Sequence, residues 1–498
     1  MDMVIGYGGV FVLIVLVLVV LERSRRSADS FSEYATGGRS FGSAYSTMAF
    51  LNTWLPGTIF ISFAGYAASG GITGFYFVPY SLLATVLMFL LARPVNVWGS
   101  RLDLRTQADL LGARYDSRAV QVTAAVIGLI ASFPWVVLGM QSLGLVFSSL
   151  SFGSVSATTA VVIGVVVLAI RQVWTVRFGA RGVIISDMVQ GIVAYGLGTL
   201  IAVGLLVWLV THGHGLGDAG ATAFTVPGPG SAAGPLYLFS ITVTGALGGW
   251  CWPDIFVRLF ASRSVSTIQT AAVQAAPILL VFGTALTLMA VAASTLPGVA
   301  AAPDAVWFTA AGVGGVLVVT LAGVCVVAAT MGNVGANLQA LGAQVANDVY
   351  GPLRAGRVNN PRIGQVTVAV ITVLGAACAL ATASSTHLII LALISYQGIV
   401  QLAPTLFFGI FWRRGTSRAA VASMVTGFVL AALLQGFFPD SVPALGGLTS
   451  GVVAAVVNTV VYVIVSLAVP ARPQEAQRVS ELFDMVREHR AAAKEVVR

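Results

Sequence analysis

Two apolar segments of this sequence are interrupted in the middle by residues that break helices. The first interruption is Asn52-Thr53-Trp54-Leu55-Pro56-Gly57-Thr58, and the second is Gly245-Ala246-Leu247-Gly248-Gly249-Trp250-Cys251-Trp252-Pro253-Asp254. Proline removes a backbone donor and clashes with the preceding turn, while glycine adds backbone freedom, so both segments predict an unwound stretch. Unwound carbonyls can bind a cation, and free helix ends can bind a charged group of a solute. For the first segment, a simple proline kink is the alternative.

The composition indicates that these segments lie in lipid. Of the 498 residues, 57% are hydrophobic and 9% are charged, whereas roughly a quarter are charged in soluble domains. The mean hydropathy of +0.92 excludes a soluble enzyme, a disordered chain and a nucleic-acid binder. A Walker-type ATPase needs a lysine at its phosphates, and the only lysine here is Lys494. We therefore expect no enzymatic activity and no cofactor other than a coupling ion.

The apolar runs predict an all-α membrane protein with about thirteen transmembrane helices. Each run approaches the ~20 residues that a bilayer core requires, although 308–346 is too long for one straight span and is expected to bend or to continue into the cytosol. The predicted spans are 4–21, 43–69, 72–92, 119–149, 155–170, 183–210, 236–257, 269–296, 308–346, 364–383, 387–411, 418–437 and 448–469.

The distribution of arginine predicts the orientation of the chain. Arginines occur in alternate connections only, which places the N-terminus outside and the C-terminus in the cytosol. We expect one transmembrane domain over 1–470 and a cytosolic tail over 471–498. Apolar residues at near-helical spacing in the tail predict a surface helix in the cytosol.

Interruptions in the second and seventh spans, five spans apart, are typical of an inverted-repeat transporter with its site at the repeat interface. The halves would be 43–210 and 236–411, with an extra helix at 4–21 and two further helices at 418–469. Aromatic packing at the membrane interface is the alternative for the two tryptophans of the second interruption. The candidate solute-binding residues at the breaks are Thr53, Trp54, Pro56, Gly57, Gly249, Trp250 and Trp252.

Asp187 and Asp254 are the acidic candidates within the spans. An ionisable side chain at membrane depth is costly and indicates a functional site by default. Asp187 could assist the exit of an ion, or it could pair at the interface with Arg177 or Arg181. Asp254 could carry a proton, or it could form an i,i+4 ion pair with Arg258.

Six stretches in this order resemble the sodium:solute symporter family over about residues 4 to 470. They are Tyr34-Ala35-Thr36-Gly37-Gly38-Arg39-Ser40, Thr106 to Tyr115, Gly182 to Gly191 with Gln190, Val257 to Ser262, Asn347-Asp348-Val349-Tyr350, and Tyr396 to Arg414 with Gln397. The resemblance implies the LeuT-type five-plus-five fold with a broken first helix in each half. It also implies gating or ion-pair roles for Arg39, Gln190, Asp254 and Arg258, and a solute contact for Gln397.

The resemblance further implies a sodium site made by carbonyls of Asn52 and Leu55 together with the ninth span. The family has two adjacent hydroxyls on that span, whereas this sequence has Gly332 and Asn333. Asn333, the carbonyl of Ala329 and the hydroxyl of Thr330 are then the candidate ligands, with Asp187 assisting. Proton coupling through Asp187 or Asp254 is the alternative to sodium.

The eleventh-span stretch is most similar to the monocarboxylate and pantothenate branch, which implies a small organic acid as solute. Helix N-termini can bind its carboxylate, so no buried arginine is expected. A proline-like amino acid, pantothenate, or a role as a solute sensor are the alternatives. The expected partners are a small solute, a coupling cation and the bilayer of a bacterial inner membrane, with no nucleic acid and an oligomeric state left open.

Overall fold

The computed structural model describes residues 1–229, 231, 233–354, 356–382 and 395–495. In these ranges the chain is helical, and its only β-structure is two isolated bridges. The α-helices are α1 Asp2–Arg23, α2 Phe31–Thr36, α3 Ser43–Trp54, α4 Ser62–Gly70, α5 Phe77–Arg101, α6 Gln107–Arg114, α7 Arg118–Leu150, α8 Ala157–Gly191, α9 Gly198–Thr211, α10 Pro235–Gly249, α11 Pro253–Ala261, α12 Val265–Ala293, α13 Val306–Gly312, α14 Gly315–Gln344, α15 Gly351–Leu353, α16 Pro361–Ala381, α17 Ala403–Phe411, α18 Ser417–Phe437, α19 Ser450–Ala468 and α20 Pro473–Glu495.

Nine helices in the described ranges are long and apolar enough to cross a membrane, so the protein is a multi-pass membrane protein. The predicted fifth and sixth spans form one run of helix that is sharply kinked at Gly179, where φ is 59°. The long ninth run divides at Gly314 and Gly315 into α13 and α14. The predicted eleventh span begins at 387, and its residues up to 394 lie outside the described ranges.

Both predicted interruptions are present. Helix α3 ends at Trp54, and a short 3₁₀ turn begins at Gly57 before α4. Helix α10 ends at Gly249, and α11 begins at Pro253. In both segments the proline stands at the start of a new helical turn, where its missing N–H removes no helical hydrogen bond.

The arginine-bearing connections lie together on one side, which we call the arginine-rich face and define by Arg39, Arg105, Arg357 and Arg413. Arg39 Nη2 donates to the Leu104 carbonyl at 2.5 Å, and Arg357 pairs with Asp109 at 3.5 Å. Connections without arginine meet elsewhere, as where His214 contacts Thr295 at 2.7 Å. These contacts agree with the predicted segregation for the connections that carry these four arginines.

The tail forms helix α20, which packs on the protein at the arginine-rich face. Trp98 Nε1 donates to the Leu482 carbonyl at 2.8 Å, and Arg413 lies over the Phe483 ring at 4.9 Å. The Ser417 hydroxyl donates to the buried carboxylate of Glu475 at 3.1 Å. The helix predicted for the tail is present, and these contacts fix it to α5 and α18.

Candidate functional site

The two interrupted segments meet beside α14. Arg258 of α11 donates from Nε to Thr53 Oγ1 of α3 at 3.2 Å. Asn333 of α14 donates from Nδ2 to the Thr53 carbonyl at 2.8 Å. That carbonyl lies just before the break, where the regular helical bonding of α3 ends. Thr53 therefore joins the two breaks and α14 at one buried point.

The predicted carbonyl ligands lie at the end of α3. The Asn52 carbonyl has no helical partner four residues on, because Pro56 has no N–H. The Leu55 carbonyl accepts a hydrogen bond from Tyr195 Oη at 2.5 Å. Tyr195 Oη also donates to Asn52 Oδ1 at 3.2 Å, and Asn52 Nδ2 donates to Asp187 Oδ1 at 3.0 Å. The Asn52 side chain thus occupies the space between the carbonyls and Asp187.

Glycines on both sides allow α3 and α14 to approach closely. A β-carbon at position 332 would lie 1.6 Å from Asn52 Nδ2, so the Asn52 amide fills the space that a larger residue would need. A β-carbon at position 57 would lie 1.9 Å from Thr330 Oγ1. Ala329 is fully buried on the same helix. Among the described residues, Thr330 Oγ1 has no hydrogen-bond partner.

Buried arginine is present at the breaks, and the expectation of none there is wrong. Arg258 is 3% exposed and lies 3.6 Å from Asp187, measured from Nη2 to Oδ2. Arg171, which the sequence placed in a loop cluster, is 1% exposed and donates from Nη2 to Ser186 Oγ at 2.6 Å. These cations compensate buried carboxylates, a requirement that the order of residues in the chain does not reveal.

The ion pairs proposed for the two aspartates also need correction. Asp187 pairs with Arg258 rather than with Arg177 or Arg181. In the described ranges, no ion pair within 4.0 Å joins Arg258 to Asp254, although both are on α11. Asp254 is buried, and its Oδ1 atom has no hydrogen-bond partner among the described residues.

Aromatic side chains form a wall at the breaks. Trp250 stacks on Phe50 with centroids 5.6 Å apart, and its indole N–H donates to the Ala84 carbonyl at 2.9 Å. Trp54 lies 6.5 Å from Trp250 and covers Gly249, whose β-carbon would lie 2.2 Å from the Trp54 ring. Trp250 is therefore packed in the protein interior and not at a membrane interface, and its role as a solute contact stays a prediction.

Trp252 belongs to a second aromatic group. Its ring is perpendicular to Trp135 and to Tyr396, with centroids 6.0 and 5.7 Å away. The indole N–H of Trp135 is buried and has no hydrogen-bond partner among the described residues. The three rings therefore combine an apolar surface with one free donor.

Three of the remaining candidates have different positions. The Gln397 side chain faces α19, since a β-carbon on Gly451 would lie 1.9 Å from its Oε1 atom. Gln190 is buried, and among the described residues its amide has no hydrogen-bond partner. Arg39 lies at the arginine-rich face, where it donates to the Phe260 carbonyl at the end of α11 at 3.3 Å. Burial lowers the pKa of Arg39, and Asp103 opposes that shift.

Two polar residues at the site were missed. The sequence does not single out Tyr195, because a tyrosine in an apolar span is more often an interfacial anchor. Gln107 donates from Nε2 to the Trp250 carbonyl at 2.7 Å and so holds the second break from α6. The signal for Gln107 was its place in the inner-loop stretch, which had been assigned no role.

The comparisons with known proteins agree with this architecture. The sodium:solute symporter family matches residues 34–427. The sodium/pantothenate symporter of Escherichia coli is 26% identical over 464 residues, covering 87% of this chain and 92% of that protein. The monocarboxylic acid transporter of Corynebacterium glutamicum is 23% identical over 455 residues, covering 85% and 82%.

A solved structure shows the same fold. It is a Na⁺-coupled sialic acid symporter in a substrate-bound outward-open state, with a TM-score of 0.76 and 16% identity, covering 94% of this chain and 99% of that one. Two broken helices beside α14 and a family match over most of the 498 residues lead to one identification. The chain belongs to the sodium:solute symporter family.

Proposed function

We propose that this protein is a cation-coupled symporter that imports a small monocarboxylate across a bacterial inner membrane by alternating access. The observation that carries the proposal is the meeting of both breaks at Thr53, under Arg258 and Asn333. At such a point a solute and an ion can affect each other through shared side chains, as coupling requires. The named relatives for monocarboxylates and pantothenate support an organic acid as solute.

Sodium is the first candidate for the coupling ion. The Asn52 carbonyl lacks a helical partner, and the Thr330 hydroxyl has no partner among the described residues. Both are hard oxygen ligands of the kind that sodium prefers, much as other hard cations do. In this proposal, sodium binds between the end of α3 and α14, and Asp187 assists its release.

A proton is the second candidate, and one observation favours it. The Asn52 amide and the Tyr195 hydroxyl already occupy part of the predicted sodium position, since Tyr195 caps the Leu55 carbonyl. In that case a buried carboxylate near the breaks would carry the coupling charge. The two candidates predict opposite responses to the removal of external sodium.

Uptake into proteoliposomes tests the proposal. Labelled pyruvate, acetate, proline and pantothenate are offered under a sodium gradient, a proton gradient or no gradient. We expect accumulation of a monocarboxylate above the equilibrium level only when a cation gradient is present. Accumulation without any gradient, or of none of the carboxylates, would refute the proposal.

Variants at the site sharpen this assay. Asp187→Asn and Asn333→Leu should abolish cation-driven uptake, because the first removes the buried charge that bonds Asn52 and the second removes the donor to the Thr53 carbonyl. Gln435→Leu is the matched control, since it removes a buried amide that bonds Pro439 and Ser450, which belong to neither interrupted segment. The control should lower stability and leave the cation dependence unchanged.

A further inference from the structure

We propose that Arg258 is the receptor for the solute carboxylate and that Asp187 competes with the solute for it. This inference rests on the proposed function and names the residue that recognises the acid. Arg258 is 3% exposed on α11, and only its Nε atom has a hydrogen-bond partner, Thr53 Oγ1. Among the described residues, Nη1 and Nη2 have none.

The free edge of this guanidinium has the geometry that a carboxylate needs. Arginine presents parallel N–H donors that bind a carboxylate in a bidentate manner. The partner within ion-pair range is Asp187, and the 3.6 Å separation is too long for a hydrogen bond. A buried guanidinium with unused donors is costly, so the site is completed when a ligand supplies acceptors.

The position of Arg258 couples recognition to the breaks. Its Nε atom holds the hydroxyl of Thr53 on α3, while its backbone lies in α11. A carboxylate on Nη1 and Nη2 would therefore contact the two interrupted segments through one side chain. Loss of the solute would return Arg258 to Asp187 alone.

The formal charges around the breaks explain why a cation should accompany the acid. Arg171 and Arg258 contribute two positive charges, and Asp187 and Asp254 contribute two negative charges, all buried. These four side chains together are therefore formally neutral. A monocarboxylate alone would leave an uncompensated negative charge in low dielectric, which is strongly unfavourable. A monovalent cation near Asp187 restores neutrality and frees Arg258 for the solute.

The test measures binding of labelled potassium pyruvate to the full chain in nanodiscs at fixed pH, with sodium chloride or choline chloride. Arg258→Gln should weaken pyruvate binding on the order of 100-fold, and Arg258→Lys about 10-fold, since lysine keeps the charge but loses the bidentate fork. Competition by pyruvamide, which has no carboxylate, should be equal in all variants. Arg177→Gln is the matched control, because Arg177 is an exposed arginine that pairs with Glu22.

Asp187→Asn gives an independent result that does not depend on Arg258→Gln folding. It removes the competitor and leaves the site with one excess positive charge, so pyruvate should bind about 10-fold more tightly in choline and lose its sodium dependence. Equal pyruvate affinity in Arg258→Gln and wild type, or pyruvate binding in choline that is no tighter in Asp187→Asn than in wild type, would overturn the inference and leave the proposed function intact. A wild-type protein that neither binds pyruvate nor takes up any of the labelled carboxylates would overturn both the inference and the proposed function.

Discussion

Replacing Gly332 with serine introduces one of the two hydroxyls that the family resemblance implied for the ninth span, and we expect it to damage the protein. The new β-carbon would lie 1.6 Å from Asn52 Nδ2 and 2.5 Å from Asn52 Cγ, so the Asn52 side chain must move. Its departure breaks the hydrogen bond to Asp187 and the bond from Tyr195.

The size of the effect follows from these contacts. A buried hydrogen bond to a charged group contributes about 2 kcal/mol, and overpacking of a tight helix contact adds about 2 kcal/mol. Gly332→Ser should therefore lower the free energy of unfolding by about 4 kcal/mol. Denaturant titration of the purified protein in mild detergent measures this change.

A second substitution separates the collision from other effects of serine. Asn52→Ala removes the colliding side chain, and alone it should lower the free energy of unfolding by about 2 kcal/mol. Added to Gly332→Ser, it should raise the free energy of unfolding of that variant by about 2 kcal/mol. The double variant should then be close to Asn52→Ala in stability. A Gly332→Ser protein as stable as wild type, or a double variant no more stable than Gly332→Ser, would refute the reasoning.

Three further predictions concern the arginine-rich face. Gln107→Ala removes the hydrogen bond to the Trp250 carbonyl, so the second break should open faster. Backbone amide hydrogen exchange at Trp250 should then rise by about 5-fold. Glu475→Gln should weaken the attachment of α20 by about 1 kcal/mol, because Ser417 loses a charged acceptor, and limited proteolysis after residue 470 reports it. Burial, together with nearby arginines, lowers the pKa of His489 in the docked tail. The undocked tail therefore binds more protons than the docked tail, so the docking of α20 should weaken as pH falls through ~6.5.

Two of these predictions have a matched comparison variant, and the third has a result that would contradict it. For the pH effect, we compare the amide hydrogen-exchange rates of α20 in wild type and in His489→Gln, because their ratio cancels the intrinsic pH dependence of exchange. A ratio that stays constant with pH would contradict the prediction. For Glu475→Gln, Glu481→Gln on the outer side of α20 should leave proteolysis unchanged. For Gln107→Ala, unaltered exchange at Trp250 would show that α6 does not hold the break.

The interruptions were predictable because their cause is local. Pro56 and Pro253 act on their own turns, whatever surrounds them. The alternation of arginine likewise predicted which connections meet. The kink at Gly179 lies within the connection that separated the predicted fifth and sixth spans.

The charge network could not be predicted in the same way. Asp187 and Arg258 are 71 positions apart and belong to different helices, so only the packed fold selects that pair over Asp254 four residues before Arg258. The role of Asn52 depends on an absent side chain at Gly332 across the interface. The docking of α20 could not be predicted either, because its apolar residues could pack equally well on lipid or on protein. Only the fold shows that Trp98 and Arg413 contact this helix.

The docking of α20 has a practical consequence for anyone who handles this protein. Helix α20 is joined through Trp98 to α5 and through Ser417 to α18. A bulky fusion placed after α20 could therefore disturb contacts that are part of the folded protein. Reporter proteins and purification handles at that end should therefore be compared with the same additions at the other end before any rate of uptake is interpreted.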